Sequence, residues 1–325
     1  MKIKWLNYIL ILIGVSIFIF FVRSVDFSAL FSSLKSTGPE ILLVALLLTI
    51  LTVMIKAYRW KYLIKQITGT NISLYFAFLS ILAGVSSASI FPGRSEITKP
   101  LLLKKSYDCK LIQTIPAMFI ERIFDFAGLI ALFFISLIFI SGSFTYSKYI
   151  LPLAIVLIIL LFLLFFHTKL ISKVFASLLR VLPFSIKIKD KLKNFNNHFF
   201  ESFLVLRKKK LSLVMFSLTM LVMAVEVSRL LYLLYSLGTA VIVSVASLGF
   251  VGGLLIGVIA IIPGGIGVTE FSSAEIIAAL SGFTSAQVKP AIFLDRIIAY
   301  YFIVFIGGLI LLFSKKLIRT RDIKS

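Results

Sequence analysis

Eight long apolar runs constrain the fold of this chain more than any other feature of its sequence. Each approaches the length that an α-helix needs to cross a hydrocarbon core of about 30 Å. Leucine, isoleucine and phenylalanine dominate them, and Lys or Arg clusters follow several, which favours membrane helices over a β-barrel. The runs are Trp5–Val22, Ile41–Ile55, Leu74–Phe91, Ile123–Ile140, Ile150–Phe166, Leu211–Leu234, Val241–Ile262 and Ala291–Phe313. The sequence therefore predicts an all-α, polytopic membrane protein with a single transmembrane domain over residues 1–325.

Composition and charge agree with this class of protein. Hydrophobic residues make up 60% of the chain and charged residues 14%, well outside the range of soluble globular proteins. The net charge of +21 comes largely from three clusters, at Lys56–Lys65, in a loop over residues 167–210 and in the tail from Lys315. Because cytoplasmic loops of membrane proteins are enriched in Lys and Arg, we expect topology rather than nucleic acid to explain this charge. We predict a multi-pass protein of the cytoplasmic membrane with both termini in the cytoplasm.

The basic clusters also predict two segments that do not cross the membrane. Three full crossings would separate the basic loop predicted near Lys61 from the basic loop near Lys191, and an odd number cannot return to one side. A re-entrant hairpin that breaks at Pro92-Gly93 solves this, and the stretch IIPGGIGVTE offers a second hairpin that enters from the opposite face. The eight runs then become six full transmembrane helices plus two oppositely inserted re-entrant hairpins. Eight plain crossings remain the alternative.

A repeated octet divides the chain into two related halves. PAMFIERI at residues 116–123 recurs as PAIFLDRI at residues 290–297, with five of eight residues identical. Glu96 and Glu270 are separated by the same 174 positions as Arg122 and Arg296. The halves therefore cover about residues 74–140 and 241–313, and their opposite insertion makes them an inverted repeat. Such repeats are typical of secondary transporters, whose substrate sites lie where broken helices meet.

The charges inside the apolar runs are candidate site residues because a charge at a membrane helix centre costs about 2.5 to 3.5 kcal/mol. Glu121 and Asp125 are four positions apart and share one helix face. Glu226 and Arg229 are three apart, which suits either a structural ion pair or a substrate role. Arg122 has a second interpretation, since near the start of a helix its side chain can reach the headgroups. We expect Glu96 to meet Arg122, and Glu270 to meet Arg296.

Several other kinds of chemistry are excluded. The lone Cys109 forms no intrachain disulfide, and neither it nor His167 and His198 has partners at metal-ligand spacing. The sequence GGIGVTE lacks the ending of a phosphate-binding loop, so we expect no nucleotide-driven pump and no cofactor. The loop over residues 167–210 combines apolar residues at helical spacing with lysines, which fits either an interfacial amphipathic helix or topology-setting charge.

The segments PGRSEITKP, ERIFD, IPGGIGVTE and DRIIAYY resemble signature positions of the lysylphosphatidylglycerol synthase transmembrane region family, the flippase-like (YbhN-like) integral membrane proteins. The resemblance covers residues 5–313 and implies a protein that moves a lipid or lipid-linked headgroup across the membrane. One departure is the spacing between Arg94 and Glu96. Another is that the chain stops at Ser325 without the family's soluble aminoacyl-transfer domain, so we expect no synthetase activity. The site residues that it implies are Arg94, Glu96, Glu121, Arg122, Asp125, Gly264, Gly265, Gly267, Glu270, Asp295 and Arg296, with Glu226, Arg229 and Tyr300 beside them.

Two classes of function follow from these residues. In the first, carboxylates and arginines line a polar groove through which the headgroup of a membrane lipid passes. In the second, a membrane-embedded transferase acts on a lipid-linked substrate, with Glu96 or Glu270 as general base and arginines holding phosphate. A scaffold for an envelope lipid-modifying enzyme is a third possibility. We expect the first function, with membrane lipids as partners and no catalysis.

Overall fold

The structure, a computed structural model, is helical throughout the part of the chain that it describes. It describes residue 12 and residues 15–90, 97–140, 203–260 and 262–319. The predictions for Arg94, Glu96, the run Ile150–Phe166 and loop residues 167–202 lie outside these ranges. After a helical segment over residues 15–23, we label the helices α1 (Phe27–Thr37), α2 (Glu40–Thr68), α3 (Leu74–Ile90), α4 (Thr98–Tyr107), α5 (Leu111–Ile140), α6 (Lys209–Ser236), α7 (Val243–Ile259), α8 (Val268–Ser281), α9 (Ser285–Arg296) and α10 (Phe302–Arg319).

Among the described residues, four helical stretches are long and apolar enough to cross a membrane. They are α2, α5, α6 and the continuous stretch Ser285–Phe313, which joins α9 and α10. Each holds 28 to 30 residues, about 42 to 45 Å of helix, which exceeds the hydrocarbon core of about 30 Å. Helices α3 and α7 are apolar but shorter, at 17 residues each. The prediction of an all-α, multi-pass integral membrane protein is confirmed at this level.

Helix α2 corrects one prediction, because the basic cluster Lys56–Lys65 is not a loop. The helix begins after Gly38-Pro39 and continues to Thr68, where Gly69 ends it in the left-handed conformation with a φ of 74°. The apolar run stops at Ile55, but the backbone stays helical since the next charged side chains find partners inside the protein. Arg59 is buried among them, as described below.

Helix α5 also begins before Ile123, the first residue of the apolar run from which this helix was predicted. It starts at Leu111, so the octet PAMFIERI lies within the helix rather than ahead of it. Glu121 and Arg122 are therefore about three turns from the start of α5, farther from it than the apolar run predicted. Pro116 is the sixth residue of α5 and Pro290 the sixth of α9, so the repeated octet takes the same place in both helices.

Helices α7 and α8 form an antiparallel hairpin with glycine along its seam. A Cβ on Gly249 would overlap Ile277, one on Gly253 would overlap Ser273, and one on Gly257 would overlap Thr269. Residue numbers fall along α8 as they rise along α7, which fixes the antiparallel direction. The connection between the helices contains Pro263–Gly265 as a short 3-10 turn. Close glycine packing of this kind is typical of membrane helices.

The described residues form two apolar cores. One joins the second half of α2 with α3, the start of α6 and Ile303 of α10. The other joins the first half of α2 with the end of α6 and with α7, α8 and α9. Helices α2 and α6 pack antiparallel, since Arg59 contacts Thr219 whereas Lys56 contacts Glu226.

The packing of α3 on α10 gives a first prediction, at two adjacent glycines. A Cβ on Gly307 would overlap the backbone carbonyl of Leu82, whereas one on Gly308 would meet its nearest neighbour, Oγ of Ser86, at 3.4 Å. Backbone cannot move aside as a side chain does, so Gly307→Ala is expected to lower the free energy of unfolding by about 1 to 3 kcal/mol. Thermal unfolding in detergent measures this. The control is Gly308→Ala, and equal stability of the two variants would contradict the packing.

Candidate functional site

A buried ion pair lies beside the turn of the α7–α8 hairpin. Nε of Arg296 donates to Oε1 of Glu270 at 3.0 Å, and the hydroxyl of Tyr301 donates to the same oxygen at 3.1 Å. The Glu270 side chain is 0% exposed. The sequence spacing predicted that Glu270 and Arg296 would meet, and the structure brings them together.

The local backbone explains how these side chains reach one place. Gly264, Gly265 and Gly267 all have positive φ, which returns the chain tightly from α7 into α8. Glu270 is the third residue of α8, where the positive end of the helix dipole favours a carboxylate. Arg296 ends α9, and a π-helical stretch, Ile297–Tyr301, follows it and carries Tyr301 toward Glu270.

Tyr300 links this turn to the other half of the chain. Its hydroxyl donates to Oγ of Ser89 at 2.8 Å, close to the end of α3. The same hydroxyl occupies the space that a Cβ on Gly264 would need, and the Arg296 guanidinium lies 5.0 Å from the centre of the Tyr300 ring. Tyr300 therefore contacts the glycine turn, the ion pair and the end of α3 at once.

A second buried ion pair joins α6 to α9. Nε of Arg229 donates to Oδ1 of Asp295 at 2.7 Å, with NH2 at 3.5 Å from Oδ2.

Glu226 instead accepts from Nζ of Lys56 at 2.7 Å, which connects α6 to α2. The predicted ion pair between Glu226 and Arg229 is therefore wrong, because each side chain has a closer partner on another helix.

The first half contains a larger cluster around Glu121 and Asp125. Arg59 donates through NH2 to Oε1 of Glu121 at 3.1 Å, and its NH1 lies 2.6 Å from Oδ1 of Asp125. NH1 also donates to Oγ1 of Thr219 at 2.7 Å. Lys99 donates to the other oxygen of Glu121 and lies 4.5 Å from the centre of the Trp60 ring. The one helix face predicted for Glu121 and Asp125 is the face that α2 contacts.

The sequence of this chain is similar to those of known proteins. The family profile described as "Lysylphosphatidylglycerol synthase TM region" matches residues 7–307. The chain belongs to the lysylphosphatidylglycerol synthase TM region family. It is 26% identical to the UPF0104 membrane protein PH1989 of Pyrococcus horikoshii, over 96% of this chain and 98% of that protein. It is 25% identical to the UPF0104 membrane protein MJ1595 of Methanocaldococcus jannaschii, over 97% of each.

Two residues of this family member were missed by sequence reasoning, Arg59 and Lys99. Arg59 stands in the basic cluster that was assigned to a loop, and Lys99 directly precedes Pro100 in the segment PGRSEITKP. A signal for Arg59 did exist, since Arg59 and Arg229 lie 170 positions apart, nearly the spacing of the repeat. Arg59 contacts Glu121 as Arg229 contacts Asp295, the acids of the two octets.

Arg122 differs from its repeat partner Arg296. Its side chain is 49% exposed, and its NH1 lies 3.3 Å from Oδ2 of Asp125 on the same helix. Arg296 is nearly buried. Arg94 and Glu96 lie outside the described residues, so the contact between Glu96 and Arg122 stays a prediction for this family member.

A cavity opens next to Glu270 and Arg296. The pocket spans about 290 Å³ when the space open to the surface is counted, and its enclosed part is small. Its polar lining is Thr269, Glu270, Ser273, Asp295 and Arg296, and its apolar lining includes Leu230, Phe250 and Leu254. The ion pair therefore borders a small pocket whose lining is partly polar and partly apolar.

Proposed function

We propose that this protein moves a lipid or a lipid-linked headgroup across the cytoplasmic membrane, with the headgroup passing the Glu270–Arg296 pair. The observation that carries the proposal is a buried carboxylate and guanidinium beside a cavity, in an apolar helical protein. Charges at membrane depth cost several kcal/mol and mark substrate paths in membrane proteins. We assign the same role to the first-half positions Arg94, Glu96, Glu121, Arg122 and Asp125.

An inverted repeat supports transport rather than a static role. Lys56 and Glu226 lie 170 positions apart at matching places in α2 and α6, and they contact each other at 2.7 Å. Since α2 and α6 run antiparallel, the two halves, extended to include α2 and α6, have opposite directions. We infer a pseudo-two-fold axis through this contact, in the plane of the membrane. Two such halves can expose one central site to either face in turn.

Helix lengths support re-entrant hairpins. Helix α7 spans about 25 Å and α8 about 21 Å, both short of the hydrocarbon core of about 30 Å. Irregular backbone at membrane depth is tolerated where protein or a cavity surrounds it, and the glycine turn borders the cavity at Thr269. We propose that α7–α8 and α3–α4 enter from opposite faces.

The hairpins give a topology prediction that labelling can test. In a Cys109→Ser background, Lys104→Cys at the end of α4 is expected to react with a membrane-impermeant thiol reagent from the cytoplasmic side only. Lys104 and Ala286 are both exposed. Ala286→Cys serves as the control, because it faces outward whether the hairpins are re-entrant or complete. Labelling of Lys104→Cys from outside would rule out the first hairpin and support eight full crossings.

The function itself is tested by purified protein in proteoliposomes that carry lipids labelled on an acyl chain. We expect the labelled lipid to exchange between leaflets and to be recovered chemically unchanged. A converted lipid would instead indicate the transferase, for which Glu270 offers a buried carboxylate. Protein without either activity would favour a scaffold for an envelope lipid-modifying enzyme.

A further inference from the structure

Two buried polar atoms of the Glu270–Arg296 pair have no hydrogen-bond partner among the described residues. They are Oε2 of Glu270 and NH2 of Arg296. Oε1 of Glu270 already accepts two hydrogen bonds, from Arg296 and Tyr301, so the pair is satisfied on one side only. Leaving a buried charged group partly unsatisfied is costly, and native proteins rarely do so without a reason. Both residues line the cavity, so the reason we consider is a ligand.

The charges that surround the cavity sum to zero. Glu270 and Asp295 contribute two negative charges, and their partners Arg296 and Arg229 contribute two positive charges. A net anion or a net cation would therefore unbalance the site. The two unpartnered atoms, however, require different hydrogen-bonding groups. The carboxylate oxygen requires a donor, and the guanidinium nitrogen requires an acceptor. A single ligand that supplies both and is neutral overall would satisfy the site.

The geometry also limits the length of that ligand. Oε1 of Glu270 and Nε of Arg296 are 3.0 Å apart, so the unpartnered atoms belong to groups that touch. A donor and an acceptor separated by only a few bonds can reach both of them. Thr269 and Ser273 add hydroxyl groups to the lining of the cavity, and Phe250 and Leu254 add apolar side chains.

Resting on the proposed function, we propose that this site takes a net-neutral, dipolar lipid headgroup in which a primary ammonium lies a few bonds from a phosphodiester. Arg296 donates to a phosphate oxygen through NH2, as guanidinium groups do in phosphate sites. Oε2 of Glu270 accepts from the ammonium. The apolar lining faces the glycerol end of the lipid.

Binding of short-chain lipids in detergent tests this substrate class separately from transport. The probes are dihexanoyl-phosphatidylethanolamine and dihexanoyl-phosphatidylmethanol, which share the phosphodiester but differ in the ammonium. Titrated thermal stability of the purified protein gives an apparent affinity for each. We expect the ethanolamine lipid to bind about tenfold more tightly, the effect of one charge-assisted hydrogen bond.

Two variants on helix α8 show whether Glu270 is responsible for the expected preference for the ethanolamine lipid. Glu270→Gln removes the charge that receives the ammonium, so it is expected to bind both lipids with similar affinity. Glu275→Gln changes a carboxylate on the same helix whose side chain is 44% exposed, and it should keep the preference of the native protein.

Equal affinities in the native protein would overturn the inference, because solvent would then satisfy both atoms as well as a headgroup does. A preference that survives in Glu270→Gln would also overturn it. Either failure leaves the transport proposal open, since leaflet exchange is measured with other lipids in proteoliposomes.

Discussion

Glu121→Gln is expected to lower the free energy of unfolding by about 3 to 5 kcal/mol, the effect of breaking a buried ion pair from one side. Glu121 is 2% exposed and holds Arg59 and Lys99, one on each carboxylate oxygen. Glutamine keeps one acceptor, but its amide nitrogen then faces donors that it cannot satisfy. Thermal unfolding in detergent and the yield of folded protein measure the loss.

Arg122→Gln is the matched control on the same helix. Its exposed side chain pairs with Asp125 near the surface, and such a pair contributes about 0 to 1 kcal/mol. We expect its unfolding temperature to stay close to that of the native protein. If Glu121→Gln proved as stable as Arg122→Gln, Glu121 would not hold the two cations of the first-half cluster.

The contact between Glu270 and Arg296 could be predicted from the sequence because the spacing of a glutamate and an arginine repeats in the two halves. Equal spacing in two halves fixes which positions correspond, and helical geometry then brings the start of α8 close to the end of α9. The glycine turn was also visible, since Pro263 and three nearby glycines interrupt an apolar run. Both features depend on local pattern, which a single sequence contains.

Hydropathy alone does not predict the partners of Glu121. Arg59 is 62 positions from Glu121 and follows an apolar run whose end looked like the end of a helix. Hydropathy treats a charge as exposed, whereas Arg59 is buried because Glu121, Asp125 and Thr219 surround it. Because hydropathy treats charges as exposed, it also predicts a start of α5 that is too late. A charge that is neutralised by a distant segment leaves no local signal of its burial.

Glu270→Gln is expected to abolish lipid translocation while the protein still inserts and purifies normally. The glutamine carbonyl can accept the hydrogen bonds that Arg296 and Tyr301 donate to Oε1, so the shape of the site is kept. What disappears is the negative charge beside the cavity. A headgroup that binds through Arg296 alone can still bind to this variant. Passage along a path that relies on both charges should be lost.

A purely structural role for the pair predicts a different result. Arg296 would then lose its counter-ion inside the protein, and the variant would show a lower yield and a lower unfolding temperature. Stability and transport must therefore be measured on the same preparations. Glu275→Gln is again the control, because its carboxylate lies on the same helix and is partly exposed to solvent, 3.7 Å from Lys289.

The most direct test of lipid transport compares leaflet exchange of acyl-labelled lipids in proteoliposomes that contain native protein, Glu270→Gln or Glu275→Gln. The account predicts exchange by the native protein and by Glu275→Gln, exchange at the level of protein-free vesicles for Glu270→Gln, and chemically unchanged lipid in every sample. A well-folded Glu270→Gln protein that exchanges lipid at the native rate would contradict it.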